Sequence, residues 1–150
     1  QIGRPRKEMR FQLSRLPEWL DYFANLACVQ EDSIPPFGPG YINQVRRVPL
    51  GVVAQITPFN HPLLITIKKL APAIAAGNTV VIKPSELAPA SIIQLATLCH
   101  DAGLPKGVMN VVLGGKDVCS RLIQHAHIAK VDFTGGPTTG MAIGEQAGRN

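Results

Sequence analysis

Three short runs carry side chains able to do chemistry. In "QITPFNHP", residues 55–62, Asn60 stands where a strand-like apolar run gives way to a helical one. Its amide offers two donors to an oxygen that gains negative charge. In "KPSE", residues 83–86, Lys83 and Glu86 flank a turn shaped by Pro84 and Ser85. A carboxylate there can accept both hydroxyls of a ribose, and an ammonium can donate to a ribose hydroxyl or a phosphate. In "FTGGPTTG", residues 133–140, Gly135 and Gly140 fall at a strand-to-helix turn, where bare backbone can approach a phosphate and meet the free amides of a helix N-terminus. Each run also has a plainer reading. Asn60 can cap a helix, Glu86 can merely favour a helix dipole, and the glycines, which do not form GxGxxG, can make an ordinary turn.

The elements that would position these runs follow a rhythm from Val48 onward. The β-branched "GVVAQI" precedes the helical "HPLLITIKKLAPAIAAG"; "NTVVIK" precedes "APASIIQLATLCHDAG"; "GVMNVVL" precedes "DVCSRLIQHA"; and "IAKVDFT" precedes "TTGMAIGEQAG". Short, nearly all-apolar strands without alternation belong in a parallel sheet covered on both faces. The prediction is an α/β fold, a Rossmann-like doubly wound parallel sheet of about four βα units. Gly77 before Asn78 and Gly103 before Leu104 and Pro105 read as helix ends, and Ser91 stands near a helix start. Ligands of such sheets bind beyond the carboxyl ends of the strands, which is where the first, second and fourth loops hold the three runs.

Ahead of this lies a helical stretch in which Leu13, Leu16, Leu20, Phe23 and Ala27 step by three or four, with Pro17 suited to a first turn. The segment "EDSIPPFGPGY", with Pro35, Pro36, Pro39, Gly38 and Gly40, reads as an extended connector. The expected division is a helical lead-in and connector over 1–40 and the α/β domain over 41–150. The chain opens with Gln and stops within a helical run, as a piece of a longer protein would.

Composition narrows the class. The 150 residues are 45% hydrophobic, enough for a core in one domain. Lys and Arg total 15 against 10 Asp and Glu, a net charge of +5 that is dispersed apart from "GRPRKEMR". No aromatic residues alternate with the basic ones as a nucleic-acid stacking platform would need. Cys28, Cys99 and Cys119 form no CxxC pair, which predicts free thiols and a reducing, cytoplasmic setting. Each reads as a core cysteine: Cys99 shares a helix face with Ile92, Leu95 and Leu98, and Cys119 is similar in "DVCSRLI". No run of about 18 apolar residues could span a bilayer. His61, His100, His125 and His127 have no ligand spacing with acids or thiols, so no metal is expected.

Read together, "PLGVVAQITPFNHPL", "KLAPAIAAGNTVVIKPSE", "AGLPKGVMNVV" and "VDFTGGPTTG" resemble, in order and spacing, the NAD(P)-dependent aldehyde dehydrogenase family. The resemblance covers nearly all of residues 45–145, and "GRPRKEM" and "DYFANLA" resemble the helical region before it. It implies that Asn60 holds the substrate oxygen together with a backbone N–H of the catalytic cysteine. It implies that Lys83 and Glu86, with Ser85 in their turn, bind the adenosine ribose of NAD, NADP remaining possible. Gly135, Gly136 and Gly140 fall in the pyrophosphate turn, with Thr139 near the adenine edge. Ile56, Thr57, Pro58 and Phe59 would line the coenzyme on the way to Asn60. Gly136 departs from the family's frequent Ser, and Phe59 from its frequent Trp.

The family's nucleophilic Cys and general-base Glu lie beyond the "FTGG" turn, and none of the three cysteines here takes that place. The resemblance therefore implies part of an enzyme that oxidises an aldehyde to a carboxylic acid, with 41–150 an incomplete coenzyme-binding domain that holds the coenzyme half and the oxyanion amide. The alternative is a stand-alone protein without redox activity, polarising a carbonyl with Asn60, Lys83 and Glu86 or binding a partner. Small-molecule aldehyde and nicotinamide coenzyme are the expected partners, with no nucleic acid and no membrane, and with homo-oligomerisation or association through exposed apolar surface.

Overall fold

A computed structural model describes residues 2–149. Two helices come first, α1 (Arg6–Ser14) and α2 (Leu16–Val29), parted at Arg15, with Pro17 in the first turn of α2 where its missing N–H costs nothing. The connector follows without regular structure. A single antiparallel bridge, Ser33 to Val45, pins it, with backbone bonds of 3.1 and 2.8 Å.

Four strands and four helices then alternate: β1 (Val52–Ile56), α3 (Pro62–Ala75), β2 (Thr79–Lys83), α4 (Ala90–Asp101), β3 (Met109–Val111), α5 (Lys116–Ile123), β4 (Ile128–Phe133) and α6 (Pro137–Ala147). All pairings are parallel and the strand order is β3-β2-β1-β4. The chain thus steps outward through β2 and β3, then crosses back over β2 and β1 to place β4 on the other side of β1. Right-handed crossovers in opposite directions put helices on opposite faces. On one face Val53, Val80 and Ile82 pack with Ile67 and Leu70 of α3, Ile92 of α4 and Leu16 of α2. On the other, Ile56 packs with Ile123 of α5 and Ile143 of α6, flanked by Val131 and Phe133. Fully burying a side chain of this size stabilises by roughly 1.5–3 kcal/mol, which is why both faces need their helices.

Helix ends are set by glycine. At Gly77, φ +78, the N–H bonds to Ile74 O at 2.9 Å while Asn78 N–H reaches Ala73 O at 3.0 Å. Gly103, φ +91, repeats the pattern with His100 and Cys99. Both are left-handed turns that favour glycine. Asn78 does more than follow the turn: its Oδ1 accepts from Leu50 N–H (2.7 Å) and Gly51 N–H (3.0 Å), bracing the entry to β1.

Several expectations need correction. Leu13, Leu20 and Ala27 are exposed; in α1 a polar stripe turns inward in place of Leu13. Cys28 is exposed rather than in a core, and Leu98 points to solvent while Cys99 packs inward. The third strand is only Met109–Val111, an edge strand paired on one side. β4 is not all apolar: Asp132 forms an ion pair with the buried Lys69 of α3. Among the described residues no helix is long and apolar enough to cross a membrane.

Candidate functional site

The strand order reverses between β1 and β4, and register makes that point a platform. Ile56 pairs with Lys83 in β2 and with Phe133 in β4, so the loops beginning at Thr57, Pro84 and Thr134 leave the sheet at one level. Thr57 N–H to Lys83 O (3.2 Å) and Thr134 N–H to Ile56 O (3.1 Å) extend the pairing one step past the strands. The three runs singled out by residue type are thereby side by side at the carboxyl edge. The side chain of Ile56 is the exception, since it lies in the core with Ile123 and Ile143.

In the first loop, Pro58 is half-buried while Phe59 and Asn60 are exposed. Asn60 Oδ1 accepts from the His61 N–H at 3.0 Å, which fixes the amide orientation and leaves Nδ2 to donate elsewhere. Helix α3 has His61 at its N-cap and no side-chain cap, so Asn60 does not serve as a helix cap. Below it, the Thr57 hydroxyl is buried without a hydrogen-bond partner.

In the second loop, Lys83 is buried and its Nζ donates to Pro84 O at 2.9 Å. Ser85 Oγ accepts from Leu87 N–H at 3.3 Å, holding the turn. Glu86 is exposed, and its carboxylate lies against Gly115, where an added Cβ would sit 3.1 Å from Oε1. Gly115 is the N-cap of α5. The acid therefore faces the positive end of the helix dipole. This neighbour comes from the third loop, which sequence reasoning passed over; the Gly114–Gly115 pair ahead of Lys116 was the available signal.

In the fourth loop the glycines divide the work. A Cβ at Gly135 would overlap Phe133 Cζ and stand 2.8 Å from Cε2, and one at Gly140 would stand 3.3 Å from Cε1. Both leave room for that ring. Gly136 has nothing within 4 Å of an added Cβ and adopts the extended N-cap conformation of α6. Thr139 is exposed in the first turn, whose N–H groups lack acceptors within the helix.

The thiols are not arranged as nucleophiles. Burial pushes Cys99 above its ordinary range. Burial likewise raises Cys119, and the nearby Lys83 ammonium offsets that only in part. Both thiols hold their protons at neutral pH. An apolar cavity of about 370 Å³, lined in part by Leu20, Ile74, Thr79 and Val108, opens at the amino end of β2, away from the three loops.

A parallel doubly wound sheet with these loops at its switch point places the chain in the Rossmann-type class of α/β proteins. The profile of the aldehyde dehydrogenase family matches residues 1–150, and the chain belongs to that family. It is 41% identical over 152 residues to a probable betaine aldehyde dehydrogenase of Schizosaccharomyces pombe, covering 99% of this chain and 30% of that protein. It is 44% identical over 140 residues to the phenylacetaldehyde dehydrogenase of Pseudomonas fluorescens, covering 89% and 28%. The crystal structure of betaine aldehyde dehydrogenase from Staphylococcus aureus in complex with NAD+ superposes with a TM-score of 0.95 at 35% identity, over 99% of this chain and 30% of that one. The chain thus spans about 30% of the length of such relatives.

Proposed function

We propose that this chain is the coenzyme-binding portion of an NAD-dependent aldehyde dehydrogenase, with residues 41–150 as the binding unit and 1–40 as its helical lead-in and connector. The observation that carries the reading is the common level of the three loops, set by the register of Ile56 with Lys83 and Phe133. The residues present fit the coenzyme. Glu86 and Lys83, with Ser85 holding their turn, take the adenosine ribose; Gly135, Gly136 and Gly140 admit the pyrophosphate to the start of α6, with Thr139 at the adenine edge. Thr57, whose buried hydroxyl lacks a partner, lines the approach with Pro58 and Phe59, while Ile56, its side chain in the core, contributes backbone only.

Bound NAD accepts the hydride in this chemistry. The chain's own contribution is to bind, to orient and to hold charge. Asn60 Nδ2 donates to the substrate oxygen as it becomes anionic, and its Oδ1 stays on the His61 N–H so that the donor remains aimed. None of Cys28, Cys99 and Cys119 is poised to attack an aldehyde, so the chain by itself is not expected to oxidise one. The NAD-bound Staphylococcus aureus relative supports the choice of coenzyme.

The test is a calorimetric titration of NAD and NADP into the chain and two variants. Losing a charge-assisted hydrogen bond costs roughly 1.5–3 kcal/mol, or about one to two decades in affinity. Glu86→Gln should weaken NAD by that much and narrow its advantage over NADP, because a 2′-phosphate meets the carboxylate's charge. Lys83→Ala should weaken both. If Glu86→Gln leaves NAD binding unchanged, the ribose assignment is wrong. We further propose that the exposed Phe37, Tyr41 and Ile42 of the connector favour self-association, which light scattering would show as concentration-dependent mass.

A further inference from the structure

The residue after Asn60 is held from the far end of the chain. His61 Nε2 lies 3.0 Å from Arg4 Nη2, and His61 Nδ1 lies 2.7 Å from the Gln12 side-chain amide. Arg4 in turn donates through Nη1 to Glu8 Oε1 at 2.7 Å. Arg4, Glu8 and Gln12 recur every fourth residue, so they form one stripe along α1 and the turn before it. All three are half-buried, whereas Phe11 and Leu13 of the same helix are exposed. A polar stripe thus faces inward on α1 beside the half-buried Met9, and the stripe converges on one imidazole.

Hydrogen-bond chemistry fixes the state of that ring. A guanidinium has donors only, so Nε2 must accept and carries no proton. The ring is then neutral with its proton on Nδ1, and Nδ1–H needs an acceptor. The Gln12 amide nitrogen cannot provide one, yet Gln12 Oε1 is buried with no partner. Turning the amide over places Oε1 on Nδ1–H and resolves both faults in one step. The sequence of donors is then complete: Arg4 donates to Glu8 and to His61 Nε2, and His61 Nδ1–H donates to Gln12.

We propose that Arg4 and Gln12 lock His61 as the neutral Nδ1–H tautomer and so act as positioning residues for Asn60. The coupling is direct, because the His61 backbone N–H is the donor that orients the Asn60 amide. A ring anchored at both nitrogens cannot rotate about its side-chain bonds, and the backbone it hangs from is held with it. That consequence rests on the reading of Asn60 as the oxygen-stabilising amide; the tautomer does not.

The experiment is long-range proton–nitrogen NMR of the isotope-labelled chain at neutral pH. His61 should show a protonated Nδ1 and a bare Nε2 as a single species. Gln12→Glu, which can only accept, should preserve that pattern. Gln12→Leu should move the ring to a mixture of tautomers and broaden the Asn60 side-chain amide signals, while the amides of Val80 and Ile82 report an intact sheet. A wild-type ring protonated at Nε2 overturns the proposal, and so does a Gln12→Leu spectrum with an unchanged tautomer and a sharp Asn60 amide. Failure of NAD to bind in calorimetry would instead overturn the coenzyme reading and leave the ring assignment standing.

Discussion

Gly135 and Gly136 are adjacent and both exposed, yet the structure demands opposite outcomes when each gains a side chain. At Gly135 a Cβ overlaps Phe133 Cζ and stands 2.8 Å from Cε2, where carbon atoms normally keep more than 3.4 Å. Phe133 would have to withdraw into the cluster of Ile56, Ile123 and Ile143, which is already filled. Overpacking of this kind costs roughly 1–3 kcal/mol. Gly→Ala returns about 0.4–1 kcal/mol by restricting the unfolded chain, so Gly135→Ala should destabilise by about 1–2 kcal/mol net.

Gly136 has φ −70 and ψ 154, the conformation of an N-cap, with open space around the added atom and no side-chain cap on α6. Gly136→Ser gains the same unfolded-state term and supplies an oxygen to the N–H of Thr138 or Thr139, worth a few tenths of a kcal/mol over glycine. It should stabilise by about 0.5–1 kcal/mol. The two variants should therefore differ by about 2 kcal/mol, which in a chain of this size is about 4–8 °C in Tm. Thermal and urea unfolding followed by circular dichroism read this directly. Adding Phe133→Leu to Gly135→Ala should recover part of the loss. A Gly135→Ala protein as stable as wild type, or one that the Phe133 change does not help, would refute the steric reading and return both glycines to a common backbone role.

Asn78→Ala removes the acceptor of two backbone N–H groups at the entry to β1 and should lower stability by roughly 2–4 kcal/mol, seen as a drop in the urea midpoint at constant slope. Asp132→Ala strands the Lys69 ammonium, which is nearly buried, and should cost roughly 2–4 kcal/mol, whereas Lys69→Met with Asp132→Leu should be close to neutral; a double-mutant cycle separates the two. Toward a thiol reagent, Cys28 should react first, and Cys99 and Cys119 should require higher pH because burial holds both protons on. Lys83→Met should slow Cys119 further, since the ammonium that lowers its pKa is gone.

The sheet was legible because burial on both faces leaves only apolar residues for a strand to use. Val53, Val80 and Ile82 are in the core for the reason that made them stand out in the sequence, and glycine marks the helix ends because Gly77 and Gly103 take left-handed φ. The loops were legible for a related reason: polar residues at or just beyond the carboxyl end of an apolar strand break its pattern, so Lys83 and Asn60 draw attention. What stayed hidden depends on contacts between distant residues. Lys69 meets Asp132, 63 residues away, and His61 meets Arg4, 57 residues away. Neither pairing leaves a local pattern.

Helix α1 shows how a hidden contact misleads a local rule. Leucine periodicity assigns the inward face of α1 to Leu13, on the assumption that the core side of a helix is its apolar side. That assumption holds for α3, which packs Ile67 and Leu70 on the sheet. It fails for α1 because the surface it covers includes the His61 imidazole, which needs polar partners at both ring nitrogens. A helix laid over such a group presents hydrogen-bonding side chains toward it and here leaves Phe11 and Leu13 outside. The exposed Phe11 and Leu13 and the half-buried Arg4, Glu8 and Gln12 are therefore two sides of one requirement, imposed on the start of the chain by a loop some fifty residues later.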